Sequence, residues 1–394
     1  MKFDIVIVGG GLAGASLAAA LAGSKLEIAL VERRRPAAPG LEWDSRVYSL
    51  TPASTEFLDE IGVWARLDAG RISPVYDMRV FGDDGRSRLH FSAYESGVPQ
   101  LAVTVESNRL QHALWQSLDR QRNLSLLVPE APAQLRLSGG GVEIDLEGGR
   151  SLRARLAVAA DGADSWLRRA AEIPVRGKNY GQQGVVANFA CERKHRNTAY
   201  QWFRRDGVLA YLPLPQERIS IVWSTSDAHA RELLELPPRE LCRRVAEAGG
   251  GILGSLQLLT PAAAFPLMRM NAERLAGDRV ALVGDAAHVV HPLAGQGINL
   301  GFGDAHALAG LLRDALDPGD RLLLRRFERA RAEDILAMRV VTDGLHTLFN
   351  AHTPAIAWVR NLGLNLTDSL PVIKTLLARR AMGTGGGLRH RELS

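Results

Sequence analysis

The sequence has only two cysteines, Cys191 and Cys242, in 394 residues, and they form no C-x-x-C pair. Their number and spacing exclude a disulfide framework and a thiol redox motif, so we expect both to be small buried side chains. No apolar run reaches the roughly 18 residues that a membrane-spanning helix needs. The first apolar strand begins at residue 3 and leaves no room for a signal peptide, which predicts a cytoplasmic protein.

Concentrated positive charge is also lacking. The 48 Lys and Arg residues exceed the 43 Asp and Glu residues by a formal charge of +5, and this excess is spread along the chain. We therefore expect no nucleic acid partner. The one tight basic run, residues 33–35, follows a predicted strand, so Arg33 is either a solvated loop residue or a contact to a cofactor phosphate. His288 and His291 have no further ligands at metal spacing, and no metal site is predicted.

The chain does contain a dinucleotide-binding signature at its start. An apolar, β-branched strand is followed by Gly9, Gly11 and Gly14 in G-x-G-x-x-G spacing and then by an Ala- and Leu-rich helix. The first glycine permits a tight turn, the second lets a pyrophosphate approach the backbone, and the third lets helix and strand touch. A second strand over residues 27–31 ends at Glu32, which is placed to accept hydrogen bonds from a ribose.

Residues 249–254 also match G-x-G-x-x-G, but they follow a predicted helix instead of a strand. No second strand with a terminal acid comes after them, so they are interpreted as a helix C-cap and loop. Without a second dinucleotide domain, any nicotinamide cofactor would dock transiently at a shared site.

The order of strand and helix patterns predicts an α/β protein with a discontinuous nucleotide domain. Buried strands at 156–160 and 279–283 enclose a run of strands over 184–224 whose polar turns are typical of an antiparallel sheet. We expect a Rossmann-like domain, an inserted antiparallel β-sheet domain that binds substrate, and a C-terminal helical segment from about residue 325. The predicted boundaries are 1–72, 100–174 and 273–394 for the nucleotide domain, and 73–99 and 175–272 for the substrate domain.

A second chemistry-bearing motif covers residues 284–299. A buried strand delivers Asp285 to the carboxyl edge of the sheet, where ligands bind in such folds. The Gly- and Pro-rich loop that follows permits close backbone approach and leads into a helix predicted to begin near Gly297. The N-terminal amides of that helix can face a ligand that carries negative charge. The alternative for Asp285 is a simple helix cap.

In this order, the motifs resemble those of flavoprotein aromatic hydroxylases of the para-hydroxybenzoate hydroxylase class. Within that class the chain is most similar to the ubiquinone-biosynthesis hydroxylases that act on polyprenylated phenols. The resemblance spans essentially the whole chain. Besides the glycine loop and residues 284–299, it rests on Asp44-Ser45-Arg46, Arg109-Leu110, Asp161-Gly162 with Ser165, Leu167 and Arg168, Tyr180-Gly181-Gln182, Gln201-Trp202-Phe203, Asp206-Gly207, Leu348-Phe349, Arg360-Asn361-Leu362-Gly363 and Ala381-Met382-Gly383.

The resemblance implies bound FAD, with NAD(P)H as a transient electron donor. Arg46 and Arg109 would lie along the phosphates and ribityl chain, and Asp285 would bind a ribityl or pyrophosphate-side hydroxyl. The backbone of residues 292–299 would face the isoalloxazine. The cofactor-binding residues so assigned are Gly9, Gly11, Gly14, Glu32, Arg33, Arg46, Arg109, Asp161, Gly162, Asp285, Pro292, Gly295, Gln296, Gly297, Ile298 and Asn299.

The implied reaction is hydroxylation of the ring of a polyprenylated phenol with O2 and NAD(P)H, through a C4a-hydroperoxyflavin. No catalytic acid or base is assigned, because the cofactor carries the chemistry. The substrate-contact candidates are Phe203, Tyr211, Trp223 and His291. Two alternatives stay open: a flavin monooxygenase or epoxidase that acts on another hydrophobic substrate, and a non-catalytic FAD-binding subunit of a lipid-biosynthesis complex.

Apolar residues recur at helical spacing near the C-terminus, with basic residues close by. They predict either packing onto the protein's own FAD domain or association. Association would mean peripheral contact with the inner face of a membrane, a homo-oligomer or a biosynthetic complex. The residues concerned are Leu345, Leu348, Phe349, Ile373, Leu376 and Leu377.

Overall fold

The computed structural model describes residues 1–84, 87–204, 206–290 and 297–350, without the side chains of 178–180 and 338–350. Its helices are α1 (Leu12–Ala20), α2 (Pro52–Glu60), α3 (Ala93–Ser96), α4 (Ser107–Leu118), α5 (Trp166–Ala170), α6 (Asp227–Glu235), α7 (Pro238–Ala248), α8 (Gly297–Leu312) and α9 (Arg321–Asn350). Its strands are β1 (Ile5–Val8), β2 (Ile28–Val31), β3 (Val47–Leu50), β4 (Ser73–Val75), β5 (Asp77–Phe81), β6 (Arg88–Ser92), β7 (Ala102–Glu106), β8 (Leu124–Leu127), β9 (Pro132–Ser138), β10 (Gly141–Leu146), β11 (Ser151–Ala154), β12 (Leu156–Ala159), β13 (Val175–Cys191), β14 (Thr198–Arg204), β15 (Gly207–Leu214), β16 (Arg218–Ser226), β17 (Leu256–Leu258), β18 (Ala263–Ala272), β19 (Ala276–Gly277), β20 (Val280–Leu282) and β21 (His288–Val289).

A six-stranded sheet with the order β19-β20-β12-β1-β2-β8 forms the centre of the nucleotide domain. β1 lies between β12 and β2, and both pairings are parallel. Ile5 and Ile7 face a core shared with α1, α4 and α8, while Val6 and Val8 face the three-stranded sheet of β9, β10 and β11. Because both faces are covered, all four residues of β1 are buried.

The pattern over residues 124–160 predicts a single β-meander, and this prediction is wrong at both ends. Only β9, β10 and β11 form an antiparallel meander. β8 and β12 instead pair in parallel with β2 and β1. The short alternating runs do not distinguish an antiparallel partner from a parallel one, since the choice depends on strands more than 90 residues away in the chain.

The inserted sheet has the order β21-β18-β13-β16-β15-β14-β5-β6, and β17 also pairs with β13. One face packs under α6 and α7 through Leu209, Tyr211 and Trp223. The opposite face carries Val186, Ala210 and Val222 and packs against Val47 of β3. β21 pairs with β18, so the chain just after Asp285 joins the inserted sheet although the sequence assigned it to the nucleotide domain.

Within the described residues, none of the helices combines the length and apolar character needed to cross a bilayer. Both cysteines are free and partly buried. Leu345, Leu348 and Phe349 lie in α9, but their side chains are outside the described part of the chain, as are residues 351–394. The predictions made for Ile373, Leu376 and Leu377 therefore fall outside the described residues.

Candidate functional site

The glycine loop turns sharply between β1 and α1. Gly9 has φ +104°, and a Cβ there would lie 2.4 Å from the Ala160 carbonyl oxygen. A Cβ on Gly14 would lie 2.0 Å from the Gly9 carbonyl oxygen, so these two glycines are required by the fold itself. A Cβ on Gly11, in contrast, would meet no atom closer than the Ala160 carbonyl oxygen at 4.0 Å. The backbone of Gly11 is therefore open to a ligand.

Glu32 follows β2 and lies beside this loop. Its carboxylate accepts hydrogen bonds from the Gly10 amide at 2.6 Å and from the Arg34 amide at 3.2 Å. Arg33 points away toward Glu147, 3.6 Å from it, and both side chains are exposed. A cleft of about 590 Å³ opens here, lined by Gly10, Gly11, Glu32, Arg33, Arg34, Pro36 and Gln111.

Asp285 lies in a 3-10 turn, Gly284–Ala286, directly after β20. Asp285 is exposed to solvent, but protein atoms surround much of its carboxylate. This partial desolvation raises its pKa, whereas the charges of His288 and Arg46 lower it. Its carboxylate makes no hydrogen bond within the described part of the chain. Gly284 has φ +61°, and a Cβ there would lie 2.9 Å from the Cβ of Ala13, so the turn needs glycine to pack on α1.

Arg46 and Tyr48 lie near Asp285. The guanidinium carbon of Arg46 is 5.5 Å from the ring centroid of Tyr48 and 5.3 Å from that of Phe265. Burial raises the pKa of Tyr48; Arg46 and a hydrogen bond with Ser107 lower it, and Asp285 raises it further. The structure thus brings Arg46 and Asp285 near each other, and it adds Tyr48 and Phe265, which the sequence analysis missed.

Arg109 is engaged by the protein itself. Its Nε donates to Glu106 at 3.0 Å, and its Nη2 donates to the Gly40 carbonyl at 3.0 Å. The fully buried Glu106 also accepts two hydrogen bonds from Arg71, both at 2.7 Å, and one from the Asp44 amide at 2.7 Å. These contacts secure the loop that leads to Arg46. A direct role of Arg109 on the cofactor stays a prediction.

The Asp161-Gly162 segment forms a turn before α5. Asp161 accepts a short hydrogen bond from the Ser165 hydroxyl and one from the Leu167 amide at 3.1 Å. Arg168 of the same motif donates to the Ala286 carbonyl at 2.9 Å. The segment therefore supports the Asp285 turn from the neighbouring strand end.

Asn299, in the first turn of α8, anchors this helix. Its side-chain oxygen accepts hydrogen bonds from the Thr51 amide at 3.0 Å and the Ser54 hydroxyl at 2.7 Å, and its amide donates to the Ser49 carbonyl at 2.9 Å. α8 begins at Gly297, where the sequence predicts a helix start, with Ile298 next along it. The structure does not describe four predicted site residues, His291, Pro292, Gly295 and Gln296.

A buried charge network lies behind the Asp285 turn. Asp304 of α8 accepts from His288 at 2.7 Å, from Arg331 of α9 at 2.8 Å and from the Gly284 amide at 2.9 Å. Burial opposes the charged form of His288, but Asp304 outweighs this effect and raises the pKa of His288. Burial likewise opposes ionisation of Asp304, yet its partners lower its pKa. The sequence analysis considered His288 only for metal; its real partner, Asp304, is 16 residues away and gives no local signal.

The three aromatic substrate candidates of the inserted sheet do not share a face. Tyr211 and Trp223 lie in the core under α6 and α7, where the Tyr211 hydroxyl donates to the Val245 carbonyl at 2.5 Å. Phe203 is on the opposite face, in a small cluster with Val80 and Leu89. The contacts of Tyr211 and Trp223 are those of core residues.

A parallel sheet with a glycine loop, an acidic strand end and a second acidic turn at its carboxyl edge defines a dinucleotide-binding protein. A family described as FAD binding domain matches residues 2–342. The chain is 36% identical over 386 residues to the ubiquinone hydroxylase UbiL of Rhodospirillum rubrum, covering 97% of this chain and 90% of that protein. It is 34% identical over 386 residues to the 3-demethoxyubiquinol 3-hydroxylase of Escherichia coli, covering 96% and 98%.

Among solved structures, the chain is similar to PqsL, a probable FAD-dependent monooxygenase from Pseudomonas aeruginosa. The TM-score is 0.77 at 25% identity, covering 92% of this chain and 99% of that one. The chain belongs to the FAD-binding-domain family and is an FAD-dependent monooxygenase. The predicted family, fold class and cofactor are thereby confirmed. The open backbone at Gly11 and the unbonded carboxylate of Asp285 fit FAD.

Proposed function

We propose that the chain hydroxylates the aromatic ring of a phenol that carries a polyprenyl tail, using NAD(P)H and O2. The names of the relatives in Rhodospirillum rubrum and Escherichia coli place their reactions on ubiquinone or a precursor of it. The observation that carries the proposal for this chain is the apolar face that the inserted sheet turns toward the flavin domain.

That face follows from strand alternation. Along β15, Leu209 and Tyr211 point to the α6 and α7 side, so Ala210 and Leu212 point to the other side. Phe265 of β18 is 41% exposed on this second side, next to Arg46. The apolar side chains of this face thus include an exposed ring beside a residue assigned to the flavin.

A small aromatic acid would need a cation to hold its carboxylate, ideally an arginine fork. Arg204 of β14 binds Asp206 at 2.8 Å and the Ala248 carbonyl at 2.9 Å on the α7 side. Arg205 lies outside the described residues. Arg46, beside Phe265, is assigned to the cofactor. These placements favour a neutral, hydrophobic substrate.

FAD, when bound, supplies hydride acceptance and oxygen activation. The protein's part is to hold and surround it. The glycine loop and Glu32 would hold the adenosine diphosphate end, Arg46 and Asp285 the ribityl side, and the α8 N-terminus the ring. Phe265 and its apolar neighbours would exclude water and orient the phenol. No residue is assigned as a catalytic acid or base.

The test is a series of phenols with zero to several prenyl units, measured as hydroxylated product per NAD(P)H oxidised. Burial contributes roughly 0.8 kcal/mol per methylene-sized group, so each five-carbon unit could add on the order of 3–4 kcal/mol before entropy costs. The yield of hydroxylated product per NAD(P)H oxidised should rise over the first prenyl units and then level off. Equal turnover of the tail-free ring, or of its carboxylic acid, would contradict the proposal. A protein that never oxidises NAD(P)H in response to any phenol would favour the non-catalytic subunit.

Two variants locate the substrate face. Phe265→Ala should raise the KM for prenylated phenols while leaving FAD bound, because the side chain removed belongs to the proposed substrate face. Tyr211→Phe, on the opposite face of the same sheet, is the matched control and should leave KM unchanged. A larger KM effect from Tyr211→Phe than from Phe265→Ala would place the substrate on the α7 side instead.

The proposal extends to peripheral contact with an anionic membrane surface through α9. Its exposed side combines Leu322, 67% exposed, and Leu336, 58% exposed, with the exposed Arg325, Arg326 and Arg329. Basic residues beside exposed leucines are typical of interfacial helices. Flotation with anionic vesicles should fall for the Arg325→Glu/Arg326→Glu variant and at high salt. Unchanged flotation, or loss only together with a change of oligomeric state, would point to packing between protein chains.

A further inference from the structure

We propose that Trp115 and Gln111 of α4 are positioning residues for the dinucleotide, acting through the peptide group between Gly10 and Gly11. Gly10 is not one of the three motif glycines. Its carbonyl nevertheless accepts two side-chain hydrogen bonds, from Gln111 Nε2 at 2.7 Å and from Trp115 Nε1 at 2.9 Å. Two donors from one helix thus converge on a single carbonyl of the glycine loop.

The consequence follows from the geometry of the peptide bond. The Gly10 carbonyl and the Gly11 amide belong to one planar trans peptide, so they point in opposite directions. With its carbonyl held toward α4, this peptide directs the Gly11 amide away from α4. That amide makes no hydrogen bond within the described part of the chain, and Gly11 lines the cleft beside Glu32. The amide is therefore preset for an acceptor on the ligand, and the pyrophosphate supplies one.

The indole ring of Trp115 also packs directly against the glycine loop. A Cβ on Gly10 would lie 2.6 Å from Cζ2 of Trp115, and Trp115 is almost fully buried. On the other side, the Arg35 guanidinium carbon lies 5.5 Å from the centroid of this ring, and Arg35 is paired with Asp119. The absence of a side chain at Gly10 is thus explained by Trp115 and not by the ligand.

The preceding peptide is held as well. The Gly10 amide donates to Glu32 at 2.6 Å, so both peptide groups of Gly10 are bound by side chains from outside the loop. A loop set in its binding conformation loses less conformational entropy when the ligand arrives. Removing a donor to the Gly10 carbonyl should therefore weaken FAD binding through the conformation of the loop.

The variants are Trp115→Phe, which keeps an aromatic ring but removes the N–H and part of the indole, and Gln111→Met, which keeps the length and removes the amide. The dissociation constant of FAD should rise about 3- to 10-fold for each, as one hydrogen bond is lost. The affinity for ADP, which carries the same pyrophosphate, should fall by the same factor. Gln121→Met is the matched control, because Gln121 donates to the Ala18 carbonyl at 2.9 Å, within α1 and away from the loop.

The melting temperature of the apo-protein separates positioning from stability. We expect Gln111→Met and Gln121→Met to change the melting temperature equally. Only Gln111→Met should weaken the binding of FAD and ADP. The proposal is overturned if Trp115→Phe and Gln111→Met bind both ligands like the wild type. It is also overturned if Gln121→Met weakens them as much as Gln111→Met, or if affinity falls only in proportion to the melting temperature.

Discussion

Replacement of Asp304 by alanine should be among the most damaging single changes in the flavin domain. Asp304 is fully buried and binds His288, Arg331 and the Gly284 amide. The change removes the only acceptor that the described residues offer to His288 and leaves Arg331 with Asp334 and the Leu300 carbonyl. The three partners come from the Asp285 turn, from β21 and from α9, so the loss affects the flavin side of the domain directly.

The magnitude follows from burial. Breaking a buried ion pair by removing one partner costs about 3–5 kcal/mol, because the remaining charge stays desolvated. A natural protein is stabilised by roughly 5–15 kcal/mol in total, so Asp304→Ala should cost a large fraction of the free energy of unfolding. Asp304→Asn keeps the shape and an acceptor for the Gly284 amide but lacks the charge, and its cost should be smaller.

The pH dependence has a definite sign. The pKa of His288 is raised in the folded protein. Its contribution to the free energy of unfolding is therefore complete below about pH 6.5 and is lost as pH rises through the folded pKa. The pKa of Asp304 is lowered, so its contribution is complete above about pH 3.9 and is lost as pH falls through the folded pKa. The difference in free energy of unfolding between the wild type and Asp304→Asn should therefore be largest between these two pH limits. Arg331, Asp285 and Asp334 are the other charges that face this network.

The assay is denaturant unfolding of the FAD-loaded protein at several pH values, with release of flavin fluorescence as a second signal. The control is Arg243→Ala, which removes an exposed pair with Glu240 and Glu247 on α7 and should change little. The reasoning is refuted if Asp304→Ala and Arg243→Ala have equal effects. It is also refuted if the loss in Asp304→Asn does not vary with pH.

Three further outcomes are expected. Gly11→Val should purify colourless with an unchanged apo-protein melting temperature, because its side chain meets only ligand space; a yellow, fully occupied variant would count against the site. Asp285→Ala should weaken FAD by about 1.5–3 kcal/mol, the value of a hydrogen bond to a charged group, as measured by titration calorimetry. Gly297→Pro removes a donor at the start of α8 and should make the flavin reduction potential more negative; an unchanged potential with FAD bound would refute a role for these amides.

Local sequence determined the elements that bear the dinucleotide signature. The period of apolar residues and the glycine spacing predict β1, the turn and α1, and Glu32 follows β2 where a strand end is predicted. The same rules correctly assign residues 249–254 to the end of α7 and the loop after it. These predictions succeed because they depend on residues within one or two turns of each other.

Only the tertiary structure decided which side chains meet. Asp304 and His288 are 16 residues apart and Arg331 is 27 beyond Asp304, so no local pattern joins them. Alternation along β15 places Tyr211 and Ala210 on opposite faces, but nothing in that period tells which face meets the flavin domain. The hydrogen bond of Trp115 to Gly10 spans 105 residues, so no local pattern predicts it. Periodicity determines which face of an element is buried, whereas the partner on that face depends on how distant segments pack.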